Sequence, residues 1–213
     1  MLEKEIVELS TIVIFALSAV LAFYLTVNGR SISTRFWSSG MWMFALGVFL
    51  EVIFAYGIYS QFLIKLYLLV VALVVELLAM GSINLTGKRV LIVAYYAYSV
   101  VSTLSLVLSL VYSDIGNIIT NFVVYGSLPV SVVVTSSIVT FPAAAILIAV
   151  AAISYRKKHS YKMLSIIAGT LIVSVAGTLY IAQFPAFLYY AEFFGVLFLW
   201  LGFFDFRKFS SHS

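Results

Sequence analysis

The chain contains no cysteine, which removes disulfides, thiolate nucleophiles, cysteine-held zinc and iron–sulfur clusters from consideration. Histidine is nearly as scarce. His159 stands in a basic hydrophilic stretch and His212 is one residue from the end of the sequence. Neither falls in a membrane segment, so a bis-histidine haem or a buried histidine metal site has no ligands, and the sequence predicts no metal and no cofactor. Charge is the third shortage: 9% of the 213 residues are charged and 64% are hydrophobic, against about 25% charged in an ordinary soluble domain. Twelve basic and 8 acidic side chains cannot cover the wetted surface of a soluble globule of this size. The solvent is therefore largely lipid.

A hydrocarbon core about 30 Å thick needs about 20 apolar residues per helix, and seven such runs recur: Leu9 to Val27, Phe36 to Tyr59, Phe62 to Gly81, Val90 to Tyr112, Val134 to Tyr155, Met163 to Ala182 and Ala186 to Phe206. The sequence predicts an all-α integral membrane fold, one seven-helix bundle over residues 1–213. The net charge of +4 taken alone would suggest nucleic acid, but the cations cluster on alternate connections. Arg30 and Arg35 follow span 1, Lys88 and Arg89 follow span 3, Arg156, Lys157, Lys158 and Lys162 follow span 5, and Arg207 and Lys208 follow span 7. The turns at Ser60-Gln61 and Gln183-Phe184-Pro185 carry none, and the start holds Glu3, Glu5 and Glu8 beside Lys4. By the positive-inside rule the N-terminus is outside and the C-terminus cytoplasmic, as in a multi-pass protein of the cell membrane. The acidic start marks span 1 as a retained helix rather than a cleaved signal peptide.

The connection from Ser113 to Val133 is long, β-branched and turn-rich, with Gly126-Ser127-Leu128-Pro129 at its centre. Its pattern from Asn117 to Thr135 fits either a short hairpin on the outer surface or a re-entrant segment. An internal echo relates Gln61-Phe62-x-x-x-Leu66-Tyr67 to Gln183-Phe184-x-x-x-Leu188-Tyr189, and the same offset carries Gly47 onto Gly169. It is either a three-plus-one-plus-three helix repeat, as in some carriers, or chance in a chain rich in these residues.

A charge at mid-bilayer costs at least about 2.5 kcal/mol on insertion scales, so each one asks for a reason. Apart from Asp205 at the very end of span 7, four fall inside the spans: Glu51 in span 2, Lys65 and Glu76 in span 3, and Glu192 in span 7. Counted from the outer ends, Glu51 and Glu192 both lie about 9 to 12 Å deep. Spans 2 and 3 are joined by a tight turn, which allows Lys65 to meet Glu51. Two readings stay open: a ligand-binding polar site in the outer half, made of Glu51, Glu192 and Lys65 with Tyr56, Tyr67 and Tyr189 beside them, or a structural ion pair with a snorkelling lysine. Glu76 is eleven residues past Lys65, on the same helix face. A proton path through these four groups would need waters across a gap of about 16 Å. Thr170, Ser174 and Thr178 of span 6, and Ser99, Ser102, Thr103, Ser105 and Ser109 of span 4, are read as small residues for close helix packing. Pro142 should kink span 5 or free a carbonyl, and Tyr59, Tyr112 and Tyr155 are interface anchors.

Seven spans with an outside N-terminus match the layout of opsins and seven-helix receptors, but the last span holds no Schiff-base lysine. Gly47-x-x-x-Glu51, Lys65-Leu66-Tyr67, Leu128-Pro129 with Phe141-Pro142, and Leu188-Tyr189-Tyr190-Ala191-Glu192-x-x-Gly195 together resemble a broad set of uncharacterised seven-helix membrane proteins of bacteria and archaea. The resemblance implies that Glu51, Lys65 and Glu192 belong together, and it brings no activity.

Several functions fit these residues. The first is a non-enzymatic ligand- or lipid-binding or sensing module, or a subunit of a membrane complex. The second is a small, proton-coupled transporter, and the third an intramembrane enzyme in which a carboxylic acid protonates an isoprenoid or other lipid. No catalytic residues are nominated, because no nucleophile–base pair or paired-carboxylate motif is evident. Membrane lipids are the expected partners. With only seven residues after Phe206, a signal would pass through loops or through a membrane or cytoplasmic partner protein. The oligomeric state is left open.

Overall fold

A computed structural model describes residues 2–116, 118–120, 123–124, 127–158, 161–162, 164–166, 168–169, 172 and 185–203. Its helices are α1 (Leu2–Asn28), α2 (Ile32–Ala55), α3 (Gln61–Asn84), α4 (Arg89–Tyr112), α5 (Val130–Lys158) and α6 (Pro185–Phe203), with two-residue strands β1 (Ile119–Thr120) and β2 (Val123–Val124) between α4 and α5. Five of them, Glu8–Asn28 within α1, α2, α3, α4 and Val130–Arg156 within α5, are long and apolar enough to cross a bilayer, while Tyr190–Phe203 within α6 is a shorter apolar helix. Such helices satisfy their own backbone, which lipid cannot do. The chain is thus a helical protein with the hallmarks of a multi-pass membrane protein. Most of span 6, including Thr170, Ser174 and Thr178, lies outside the described residues, as does the end of span 7 past Phe203.

Local chemistry sets the helix ends, and several differ from a reading based on apolar runs. The Ser31 hydroxyl caps α2 by accepting from the Thr34 N–H at 3.1 Å, so the helix starts at Ile32 rather than Phe36. It stops at Ala55, not Tyr59. The N–H of Gly57 bonds to Phe54 O at 2.9 Å and that of Ile58 to Ile53 O at 3.2 Å, a Schellman closure that needs the left-handed φ of 79° at Gly57. Ser60 then caps α3 through the Leu63 N–H at 3.3 Å. Between α4 and α5, Ile119 pairs with Val124 and Thr120 with Val123 in an antiparallel hairpin. The extended pattern does not reach Thr135: from Val130 the chain is already helical, because the Pro129 carbonyl accepts from Val132 and Val133 at 3.0 and 3.1 Å.

The helix α3 sits at the centre, touching α2, α4 and α5, while α1 packs on α2 and α6. One buried cluster, with Ile14, Leu21, Met41, Phe44, Val74, Leu78, Leu147 and Val196, fills most of the bundle. A second gathers Leu50, Phe54, Ile64, Tyr67, Leu106 and Leu110 at the end where α2 stops and α3 begins. Ile115 and Ile118, from the connection after α4, belong to it at 1% and 2% exposure, so that connection folds back over this end of the bundle. Indole N–H groups tie helices to one another. Trp37 Nε1 donates to Leu78 O at 3.2 Å and to Ser82 Oγ at 3.2 Å, and Trp200 Nε1 donates to Leu17 O at 2.9 Å. Each satisfies a donor that lipid would leave bare.

Candidate functional site

The Schellman closure fixes where α2 ends, and Glu51 stands four residues before that end, about 6 Å along the helix. Its shallower place does not expose it: Glu51 is 2% accessible. Tyr67, two turns into α3, donates its hydroxyl to Glu51 Oε1 at 2.6 Å, and Phe54 packs edge-on against the Tyr67 ring at 5.7 Å. Glu192 on α6, 7% accessible, lies within hydrogen-bonding reach of Glu51. Two acidic side chains from sequence-distant helices therefore meet inside the bundle.

Carboxylates carry only acceptors. Their mutual contact is a hydrogen bond only while one of them holds a proton, and the pair otherwise has nothing to donate. Oε2 of Glu51 and Oε2 of Glu192 accept from no N–H or hydroxyl donor, which leaves only the other carboxyl group to face them. Among the described side chains, neither group has a lysine or arginine partner. Buried carboxyl oxygens without partners are costly, and a pair of them, held by Tyr67, is the feature of this fold that packing does not explain.

The other nominated residues are placed elsewhere. Lys65 does not meet Glu51. Its Nζ donates to the carbonyl oxygen of Val111, near the end of α4, at 3.4 Å, which satisfies the ammonium with a main-chain acceptor. Tyr56, the C-cap of α2, is 58% exposed, because the closure at Gly57 turns it off the buried face. Tyr189 belongs to α6, but its side chain lies outside the described ones. The structure brings Glu51, Tyr67 and Glu192 together and places Lys65 and Tyr56 apart from them.

Glu76 forms a separate polar centre. It is 2% accessible, its Oε1 accepts from Ser99 Oγ and from Ser102 Oγ at 3.4 Å, and its Oε2 accepts from Thr103 Oγ1 at 2.6 Å. These α4 hydroxyls stand at i, i+3 and i+4, one helix face, and they bind a carboxyl group rather than serving close packing alone. That spacing opposite a lone intramembrane glutamate was the signal in the sequence. Between Tyr67 and Glu76, about 14 Å along α3, the buried residues of that helix are Val70, Ala72, Val74 and Val75. This apolar stretch separates the two centres, and α3 supplies no polar step for a proton path between them.

The connection between α4 and α5 is tied to the end of the bundle where α2 stops and α3 begins. Besides Ile115 and Ile118 in the buried cluster, Gln61 Nε2 donates to Asp114 Oδ1 at 2.7 Å and Ser113 Oγ lies 2.9 Å from Ser131 Oγ. On the other side, α6 is held by segment 161–172, whose described residues are helical. Ser165 Oγ donates to Phe198 O at 2.5 Å, and Gly169 meets the backbone of Gly195, one turn past Glu192. No group of three His, Cys, Asp or Glu able to hold a metal occurs among the described residues. No protein-family model, no curated protein and no solved structure matches the chain, so the site is known by its geometry alone.

Proposed function

We propose that this chain is a seven-helix protein of the cell membrane, N-terminus outside, and that it works as a non-enzymatic binding or sensing module whose ligand site is the Glu51–Glu192 pair with Tyr67. The observation that carries this reading is a pair of buried, neighbouring carboxyl groups, each with an oxygen that no N–H or hydroxyl donor reaches. A pair kept only for helix order would gain from a lysine or arginine counter-ion, and Lys65, the cation closest in sequence, is bound to Val111 O instead. A small molecule or a lipid headgroup supplies the missing partner, and the shift of α6 against α2 passes to a membrane or cytoplasmic partner protein. The test is thermal unfolding of the purified protein and of Glu51→Gln and Glu192→Gln, with retained lipid extracted and identified by mass spectrometry. Retention of one compound by the parent and its loss from both variants supports the reading. Equal retention by all three sinks it.

Proton-coupled transport is the second reading, favoured by the requirement that the pair hold a proton to bond with itself. Uptake into proteoliposomes that depends on a pH gradient, and that Glu51→Gln abolishes, would replace the sensing reading with this one.

A further inference from the structure

Away from the carboxyl pair, α3 leaves one face open. Leu69, Leu73, Leu77 and Met80 recur at spacings of four, four and three, on one helix face, and each is only half-buried. This stripe runs between two packed faces of the same helix: Gly81 meets Trp37 of α2 on one side, and Glu76 meets Thr103 of α4 on the other. Since α2 and α4 each pack on α3 but scarcely on one another, the stripe is the floor of an apolar furrow with those two helices as walls. From Leu69 to Met80 the floor runs about 16 Å, close to the depth of hydrocarbon in one leaflet, half of about 30 Å. Asn84 ends it, donating to Met80 O at 2.6 Å and to the Tyr96 hydroxyl. The Phe36 ring of α2 lies 5.5 Å from the Tyr96 ring of α4, an aromatic bridge from wall to wall that closes the furrow at this end.

Beyond the bridge stand cations. Arg35 precedes Phe36, and Lys88 and Arg89 open α4 about two turns before Tyr96. All three are exposed. The described acidic side chains are at the other end of the bundle, as Glu8 and Asp114, or inside it, as Glu51, Glu76 and Glu192. We propose that the furrow holds one anionic phospholipid, its phosphate among Arg35, Lys88 and Arg89 and an acyl chain along Leu69 to Met80. This lipid site is separate from the carboxyl pair and does not depend on it. Charge complementarity selects the headgroup: a zwitterionic one brings a cation of its own to three cations, whereas a net negative one brings none, and the guanidinium fork matches phosphate oxygens. The apolar floor selects a lipid over a free anion, which would leave the furrow uncovered. Asn84 and the Tyr96 hydroxyl stand where the chain meets its headgroup, the level at which polar aromatic groups anchor in a bilayer. In the orientation proposed above, this end meets the cytoplasmic leaflet, which carries the anionic lipids.

The experiment titrates the full-length, delipidated protein in a non-ionic detergent with phosphatidylglycerol and with phosphatidylcholine of identical acyl chains, and reads bound lipid by native mass spectrometry. Phosphatidylglycerol should give one tight adduct per chain and phosphatidylcholine none of comparable affinity, with the preference shrinking as salt rises. Arg35→Gln, Lys88→Gln and Arg89→Gln should each weaken that adduct about fivefold, the worth of one cation near an anionic headgroup. Leu77→Trp, which fills the furrow and keeps every charge, should weaken it at least as much. Glycerol phosphate, which has the anionic group and no chain, should not compete. If Leu77→Trp does not fold, Leu73→Phe and the competition with glycerol phosphate decide. Equal affinity for the two lipids, or an adduct unchanged by the three substitutions, overturns the proposal. So does an adduct indifferent to filling the furrow, and displacement by glycerol phosphate would replace the lipid site with a surface anion site.

Discussion

Tyr98 of α4 donates its hydroxyl to the carbonyl oxygen of Ile138 in α5 at 2.6 Å, and Ile138 is the residue whose i+4 partner is Pro142. Proline has no N–H to give and leaves that carbonyl without its helical bond. The tyrosine supplies the donor from the neighbouring helix, so the proline is accommodated by an interhelical bond. Tyr98→Phe should therefore cost about 1 kcal/mol, the usual size of a bond between membrane helices. In a Pro142→Ala background, where the backbone regains its own donor, the same change should cost much less. A double-mutant cycle from unfolding in mixed micelles measures the coupling, and strict additivity would contradict it.

The hydroxyls around Glu76 carry a second prediction. Ser99→Ala and Thr103→Ala each remove a donor from a buried carboxyl group and should each destabilise by about 1–3 kcal/mol. Ser105, on the exposed side of the same helix, donates only to Val101 O. Its change to Ala should stay within about 0.5 kcal/mol. Equal effects at all three positions would mean that Glu76 draws nothing from α4.

Close approach of α2 to α3 gives a third. A Cβ at Gly81 would overlap the Trp37 indole and the Ser33 carbonyl, whereas one at Gly47 would sit 3.7 Å from the methyl groups of Val70 and Val71. Gly81→Ala should cost about 1–3 kcal/mol by overpacking. Gly47→Ala should be neutral, or stabilising by up to about 1 kcal/mol through helix propensity. Melting temperatures of the two variants check the contrast.

The connection between α4 and α5 makes the fourth. Ile115 is 1% exposed beside Phe54 and Tyr67, so Ile115→Ala should cost about 2–5 kcal/mol, as for other large-to-small core changes. Gln61→Ala, which breaks an exposed bond to Asp114, should leave the melting temperature nearly unchanged. It should still speed amide exchange at Ile115 and Gly116, because it releases one tie of the connection. Unchanged exchange would show that buried isoleucines alone hold it.

Much of the helix layout was legible in residue order. Apolar runs located the helices, and Ser31, Ser60 and Gly57 mark ends that a reading by hydrophobicity placed up to four residues off. Caps are short-range hydrogen bonds between near neighbours, so the sequence states them even where apolar content does not. Glu51, Glu76 and Glu192 were also legible as expensive residues. Their partners were not. Lys65 reaches Val111 and not Glu51, and the α4 hydroxyls, read as packing residues, surround Glu76.

The sequence by itself determined that this is a helical protein with runs long and apolar enough to cross a membrane, because composition and run length respond to the solvent and not to the arrangement of neighbours. It also singled out which few polar groups need a partner. Only the tertiary structure decided which partner each one has, bringing Glu192 to Glu51, Tyr67 to Glu51, Ser99 and Thr103 to Glu76, and Tyr98 to Ile138. Helices that are apolar on nearly every side carry little amphipathic signal to say which face turns inward. Rotation about each helix axis is settled by side-chain packing against adjacent helices, and that rotation selects the contacts of the site.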